Sequence, residues 1–142
     1  MLEQKQIKDL IKTAIQMTKM SYAPYSYFQV GAALLAKNGN VYTGCNIENA
    51  AYTPTNCAER TAFFKAVSEG VREFEAIAVV GGQNGEINGL TAPCGVCRQV
   101  MMEFCNPKEF LVIMAVDESY YEIKTLEELL PMGFGPANLG LN

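Results

Sequence analysis

The sequence predicts an α/β fold, a mixed five-stranded sheet sandwiched by helices, and three observations carry that prediction. The first twenty positions place apolar residues at helical spacing. Two later runs, FEAIAVVGG and EFLVIMAV, are almost continuously apolar, as in strands covered on both faces. Helix-like and strand-like segments then alternate along the chain, the pattern of a layered α/β protein. The 142 residues, 49% apolar and 18% charged, suit one domain over residues 1–142 with a core of its own. No repeat, low-complexity stretch or linker divides it.

Ile7, Leu10, Ile11, Ala14 and Met17 recur at i, i+3, i+4 and i+7, predicting an amphipathic helix over residues 3–20. SYAPYSYFQ, with Pro24, ends it and reads as an extended, aromatic-rich loop. VGAALLAKNGNVYTGCN reads as a hairpin turning at Asn38-Gly39, two residues that tolerate positive φ. Its first strand is apolar on both faces and therefore central. IENAAYTPT is irregular, with Pro54 as a breaker, and a helix runs from Cys57 to about Glu69, where Gly70 stops it. FEAIAVVGG is the third strand, QNGEINGLTAPCG a loop, and VCRQVMMEF a helix ending near Cys105. EFLVIMAV is a fourth, buried strand and YYEIK a fifth. TLEELLP opens a last helix with Thr125 and Glu128 at capping-box spacing, and the tail MGFGPANLGLN is irregular.

Charge excludes some classes of function. The formal net charge is −4, and the 11 basic residues are scattered among acids. A polymeric nucleic-acid partner needs concentrated positive charge and is not expected, whereas a neutral nucleoside is compatible. The N-terminal segment carries charges throughout rather than a basic cap and an apolar run. The apolar runs are also too short to span a bilayer. The expectation is a cytoplasmic protein with no membrane partner.

The chain has no histidine and five cysteines. Cys57 stands at one helix start, and Cys94 and Cys97, in PCGVC, at another. Helix N-termini favour thiolates, so these three can fill three corners of a zinc tetrahedron and leave the fourth open, the arrangement of a catalytic site. Other readings stand beside it. C-x-x-C also suits a redox dithiol or half of a structural zinc site, and Cys45 or Cys105 could supply a fourth ligand, although both read as core thiols. Glu59 lies three residues after Asn56, so it can be a helix cap rather than a catalyst. Arg60 alone reads as a surface charge, and NIE alone as a polar turn after a strand.

Taken together, CAE followed by PCGVC resembles the signature of zinc nucleoside deaminases, in which a glutamate that is not a ligand moves protons. FQVGAALL, GCNIENAAY, PCGVCRQ and the terminal ELLP…F extend the likeness over nearly the whole chain, to the small homotetrameric cytidine deaminases. The resemblance implies the α/β/α fold of that family and one Zn2+ per subunit on Cys57, Cys94 and Cys97. It implies Glu59 as proton shuttle and Arg60 as a counter-charge to the thiolates. Asn46 and Glu48 correspond to ribose-binding residues, Phe28 to an aromatic stacked on the pyrimidine, and Ala58 to backbone meeting the base edge. Tyr52 corresponds to a residue near the ribose. Phe134 corresponds to one closing a neighbouring subunit's pocket, although the MGFGPANL tail departs from the family's usual run. The implied reaction is hydrolytic deamination of cytidine and deoxycytidine to uridine and deoxyuridine in pyrimidine salvage. Deamination of another aminopyrimidine nucleoside, such as a nucleoside antibiotic, is the alternative. Glu48 would repel a phosphate, which favours a nucleoside over a nucleotide.

Overall fold

Helices and strands follow one another in the order the sequence predicts. The computed structural model describes residues 2–141. Helix α1 (Gln4–Thr18) leads into strands β1 (Phe28–Ala36) and β2 (Val41–Cys45). Then come α2 (Ala58–Ser68), β3 (Phe74–Gln83), α3 (Gly95–Phe104), β4 (Leu111–Ala115), β5 (Tyr121–Thr125) and α4 (Leu126–Leu129). A short 3-10 turn, Pro136–Leu139, lies within the tail expected to be irregular. The strands form a single sheet in the order β2-β1-β3-β4-β5. Only β3 and β4 pair in parallel, so the sheet is mixed.

Layering follows from period-two alternation. Ala33, Leu35, Ala76, Ala78, Val80 and Ile113 face one way and pack on Ile7, Leu10, Ile11 and Ala14 of α1. Ala32, Leu34, Ile77, Val79 and Val112 face the other way, onto Ala62, Phe63 and Ala66 of α2 and Cys97 and Met101 of α3. Phe63 is the hub of this second layer, in ring contact with Phe74, Phe104 and Phe110.

Local chemistry sets the ends of the elements. The hairpin loop spans four residues rather than two. Gly39 alone takes positive φ (92°), and Asn38 instead accepts a hydrogen bond from Asn40 N through Oδ1 at 2.9 Å. At α4 the capping box forms as expected: Glu128 N donates to Thr125 Oγ1 at 3.2 Å and Thr125 N to Glu128 Oε1 at 2.9 Å. Two glycines let helices lie directly on the sheet. A β-carbon at Gly31 would stand 2.0 Å from Ala14 O of α1, and one at Gly44 would stand 2.2 Å from Ala58 O of α2.

Strand direction places the two cysteine-bearing helix starts together. Strand β1 runs antiparallel to both β2 and β3, so β2, β3 and β4 share one direction. Helix α2 follows β2 and α3 follows β3. Both helices therefore begin beyond the carboxyl ends of their strands, the edge where open α/β sheets bind ligands. No helix among the described residues is long and apolar enough to cross a membrane.

Candidate metal centre and active site

Cys57 and Cys94 occupy the N-cap positions of α2 and α3, where a serine or aspartate oxygen would ordinarily take a backbone N–H. Neither makes a side-chain cap bond, so both thiols are free to turn toward each other. Cys97, on the first turn of α3, completes the group, and the three Sγ atoms lie within 4.8 Å of one another. Cys57 to Cys94 is 3.7 Å and Cys94 to Cys97 is 3.6 Å. Tetrahedral zinc with Zn–S bonds of about 2.3 Å puts sulfurs roughly 3.8 Å apart, so the cluster is already at metal-binding spacing. Cys45 and Cys105 stand outside it: Cys45 is buried beside Met20 O, and Cys105 is half-buried at the end of α3.

Without metal, the thiols share protons unequally. A hydrogen bond from Cys97 brings the Cys57 thiol down to about 5 against the cost of burial, and the guanidinium of Arg60 helps. Bonding to the Cys57 thiolate, reinforced by burial, pushes Cys97 up. Arg60 Nη2 donates to Cys57 Sγ at 3.2 Å, placing a full positive charge against the sulfurs. Its Nε is buried with no partner.

Glu59 is not a cap. The N-cap is Cys57, and Asn56 directs its Nδ2 to Thr61 Oγ1 at 3.1 Å instead. The Glu59 side chain points inward and is only 4% exposed. Burial, with the neighbouring negative charge of Cys57 adding, raises its carboxyl to about 7. A buried carboxyl beside a metal site and poised near neutrality can both take and give a proton.

The NIE segment is held against the metal ligand through the backbone. Ile47 and Asn56 exchange N–H···O bonds of 2.9 Å in each direction, one residue before Cys57. On the other side, Tyr22 N donates to Asn46 O at 3.0 Å and Glu48 N to Tyr22 O at 2.8 Å. Asn46 spends most of its side chain on the protein. Its Oδ1 accepts from Val30 N at 2.9 Å and from Ser21 Oγ, and its Nδ2 donates to Phe28 O at 2.7 Å, leaving one N–H free. The carboxylate of Glu48 is gripped by Ser26 Oγ and by the N–H groups of Tyr25 and Ser26, which lowers its pKa, the serine hydroxyl contributing most.

Glu48 and Tyr52, with Tyr25, Ser26 and Thr55, line an open cavity of about 410 Å³. Tyr52 sits at positive φ (63°), stands edge-on to Tyr25 and is 72% exposed. The Phe28 ring lies over Gly81 of β3, 3.0 Å from where a β-carbon would be. Ala58 is the first residue of α2 and fully buried. Its N–H is one of the groups a helix start leaves without an intrahelical partner. Phe134 is 58% exposed in the C-terminal segment, its carbonyl taken by Gln99 Nε2 at 2.8 Å. From the sequence alone no role attaches to Ser26, Arg98 or Gln99, although Arg98 and Gln99 stand directly after Cys97 in the PCGVCRQ motif.

A sequence model of the cytidine and deoxycytidylate deaminase zinc-binding region matches residues 4–114. The chain belongs to this deaminase family. It is 50% identical over 133 residues to a cytidine deaminase of Sporosarcina psychrophila, covering 94% of each chain. It is 53% identical over 125 residues to one of Halalkalibacterium halodurans, covering 88% of this chain and 91% of that one. The crystal structure of cytidine deaminase from Burkholderia pseudomallei superposes with a TM-score of 0.81 at 47% identity, over 89% of this chain and 97% of that one. The enzyme from Mycobacterium tuberculosis gives 0.76 at 39% identity, over 89% and 95%. The family is zinc-binding, and the three thiols of this deaminase fit that ion in number, chemistry and spacing.

Proposed function

We propose that this protein is a cytidine deaminase that converts cytidine and deoxycytidine, with water, to uridine and deoxyuridine and ammonia. The observation that carries the proposal is Glu59, a carboxyl buried two residues beyond Cys57 and raised to about 7 beside a three-thiol cluster. Cys57, Cys94 and Cys97 would hold zinc, which would supply the Lewis acidity to activate a water. Three thiolates would leave such a divalent ion with a formal net charge of about −1, which would weaken that acidity. The helix starts at Cys57 and Cys94 and the Arg60 guanidinium offset this negative charge.

Glu59 takes a proton from the attacking water and delivers it to N3, then passes the next to the departing amine, so a single carboxyl serves both transfers. Phe28 stacks on the pyrimidine, and the free N–H of Ala58 meets its edge. Glu48 and the remaining N–H of Asn46 hold the sugar hydroxyls, with Tyr52 beside them. The pre-bonded state of Asn46 supports this role, because the amide cannot rotate without losing bonds to Val30 and Phe28. Glu48 disfavours a phosphate.

The active unit is a homotetramer in the cytoplasm serving pyrimidine salvage, with Phe134 closing a neighbour's pocket. Exposed Met132, Phe134, Leu139 and Leu141 support an apolar interface at the C-terminal end. The test is ultraviolet measurement of cytidine loss with a Glu59→Gln control. Zinc content and melting stay at parental values while turnover falls by at least about 10³-fold. Substantial turnover in that variant refutes Glu59 as the shuttle.

A further inference from the structure

The two residues that follow Cys97 connect the metal helix to the C-terminal segment. Arg98 reaches in two directions. Its Nε donates to Pro93 O at 2.8 Å, the carbonyl immediately before Cys94, and its Nη1 donates to Leu129 O at the end of α4. Gln99 donates from Nε2 to Phe134 O at 2.8 Å. One turn further along α3, Met102 packs so closely on Gly135 that a β-carbon there would meet Met102 Cε at 2.9 Å. Residues 98, 99 and 102 thus grip residues 129, 134 and 135. Between these anchor points run Leu130, Pro131, Met132 and Gly133, with Met132 at positive φ (56°) and wholly exposed. Residues 130–135 have no strand or helix of their own to fix them, so Arg98, on the last carbonyl of α4 before them, and Gln99, on Phe134 O, carry that task.

We propose that Arg98 and Gln99 are positioning residues that set the C-terminal segment, and with it Phe134, at a fixed place relative to the metal loop. The role of Phe134 rests on the function proposed above; the grip itself does not. Arg98 suits the task because a guanidinium presents donors in a rigid fork, whereas an ammonium reaching the same distance is a single flexible point. Gln99 offers a neutral donor that leaves the charge balance around the thiolates undisturbed.

The test compares Gln99→Met, which keeps length but removes the donor, with Gln99→Lys, which restores one, in the zinc-loaded protein. Gln99→Met is expected to speed amide hydrogen exchange in residues 130–135 and to raise KM for cytidine about three- to tenfold, the value of one hydrogen bond. Zinc stoichiometry and kcat stay near parental, and Gln99→Lys recovers most of the loss. Unchanged exchange in residues 130–135 overturns the grip, and faster exchange with an unchanged KM overturns the step from the grip to Phe134. Phe134→Ala separates the two levels of the argument. A raised KM that Gln99→Met does not increase further supports the route from Gln99 through Phe134, and additive losses overturn it. If Phe134→Ala leaves KM unchanged while Gln99→Met still alters both exchange and KM, the reading of Phe134 fails and the grip stands. Arg98→Lys checks the metal side: faster exchange near residue 129 at retained zinc stoichiometry is expected, and parental exchange there refutes the part given to Arg98.

Discussion

Replacing Gly44 and Gly31 separately by alanine makes the same chemical change under two different helices. A β-carbon at Gly44 would lie 2.2 Å from Ala58 O and 2.6 Å from Ala62 N, and one at Gly31 would lie 2.0 Å from Ala14 O and 2.7 Å from Thr18 N. Real β-carbons stay beyond 3.0 Å, so the helix above must lift by about 0.8 Å over Gly44 and by about 1 Å over Gly31. Overpacking of this kind costs roughly 1–3 kcal/mol, or about 4–12 °C in Tm at about 4 °C per kcal/mol. The two variants should therefore melt similarly. They should differ at the metal, because α2 carries Cys57 and α1 carries no ligand. Metal–ligand distances tolerate only about 0.2 Å, so a lift of about 0.8 Å at Ala58, next to Cys57, should weaken zinc at least tenfold. Gly31→Ala should leave zinc affinity near parental. Thermal melting of the loaded proteins and competition against a chromophoric chelator measure both quantities. Parental zinc affinity in Gly44→Ala at a clearly lowered Tm refutes the reasoning, and so does equal zinc loss in Gly31→Ala.

Other perturbations address the charges around the sulfurs. Arg60→Ala removes the donor 3.2 Å from Cys57 Sγ and should cut turnover about 10- to 100-fold with zinc content and Tm nearly kept. Loss of zinc and fold together, with activity per bound zinc unchanged, would mark Arg60 as structural. Zinc binding near pH 7 should release at least the Cys97 proton, read by calorimetry in buffers of different ionisation enthalpy. Affinity should fall as pH drops, more steeply below about pH 5 where Cys57 is protonated too. In the metal-free protein, Glu59 holds its proton to about pH 7, whereas its ordinary value is 4.5. The native state then binds more protons than the unfolded chain between those values, so this residue's contribution to stability declines as pH rises through that window, by about 3 kcal/mol. Cys57 contributes with the opposite sign between about 5 and 9, so denaturant titrations of the parent and Glu59→Gln must be compared: the variant should lose the falling component, and identical pH profiles contradict it.

Element order, the interior place of β1 and the α4 capping box were legible in the sequence, because each depends on local periodicity or on spacing within a few residues. The three-thiol group joins residues 37 positions apart and was legible through two matching helix starts and the resemblance to zinc deaminases. Other features that depend on distant parts of the chain were not. Asn56 and Glu59 have cap spacing, yet the cysteine between them takes the N-cap and Glu59 turns inward toward Cys97, which α3 supplies. Asn38-Gly39 marks the turn correctly, but a four-residue loop needs only one left-handed residue. NIE is readable as a polar turn, whereas its attachment to Asn56 and Tyr22 needs the folded chain. Gly31 and Gly44 carry no signal of their own within the apolar strands and prove to be the contact points for two helices.

The cysteine spacing also bears on how long the protein lasts in air. Emptied of metal, the pocket presents a thiolate at Cys57, nucleophilic at neutral pH, 3.7 Å from Cys94. Peroxide can accept two electrons from such a pair and leave a disulfide where the ion belongs, and a bridged pair no longer supplies thiolates to zinc. Bound zinc would tie up the electron pairs with which the thiolates attack peroxide. The ion is thus both the reagent of the site and its antioxidant, and the shelf life of the purified protein should follow its zinc occupancy rather than its melting temperature.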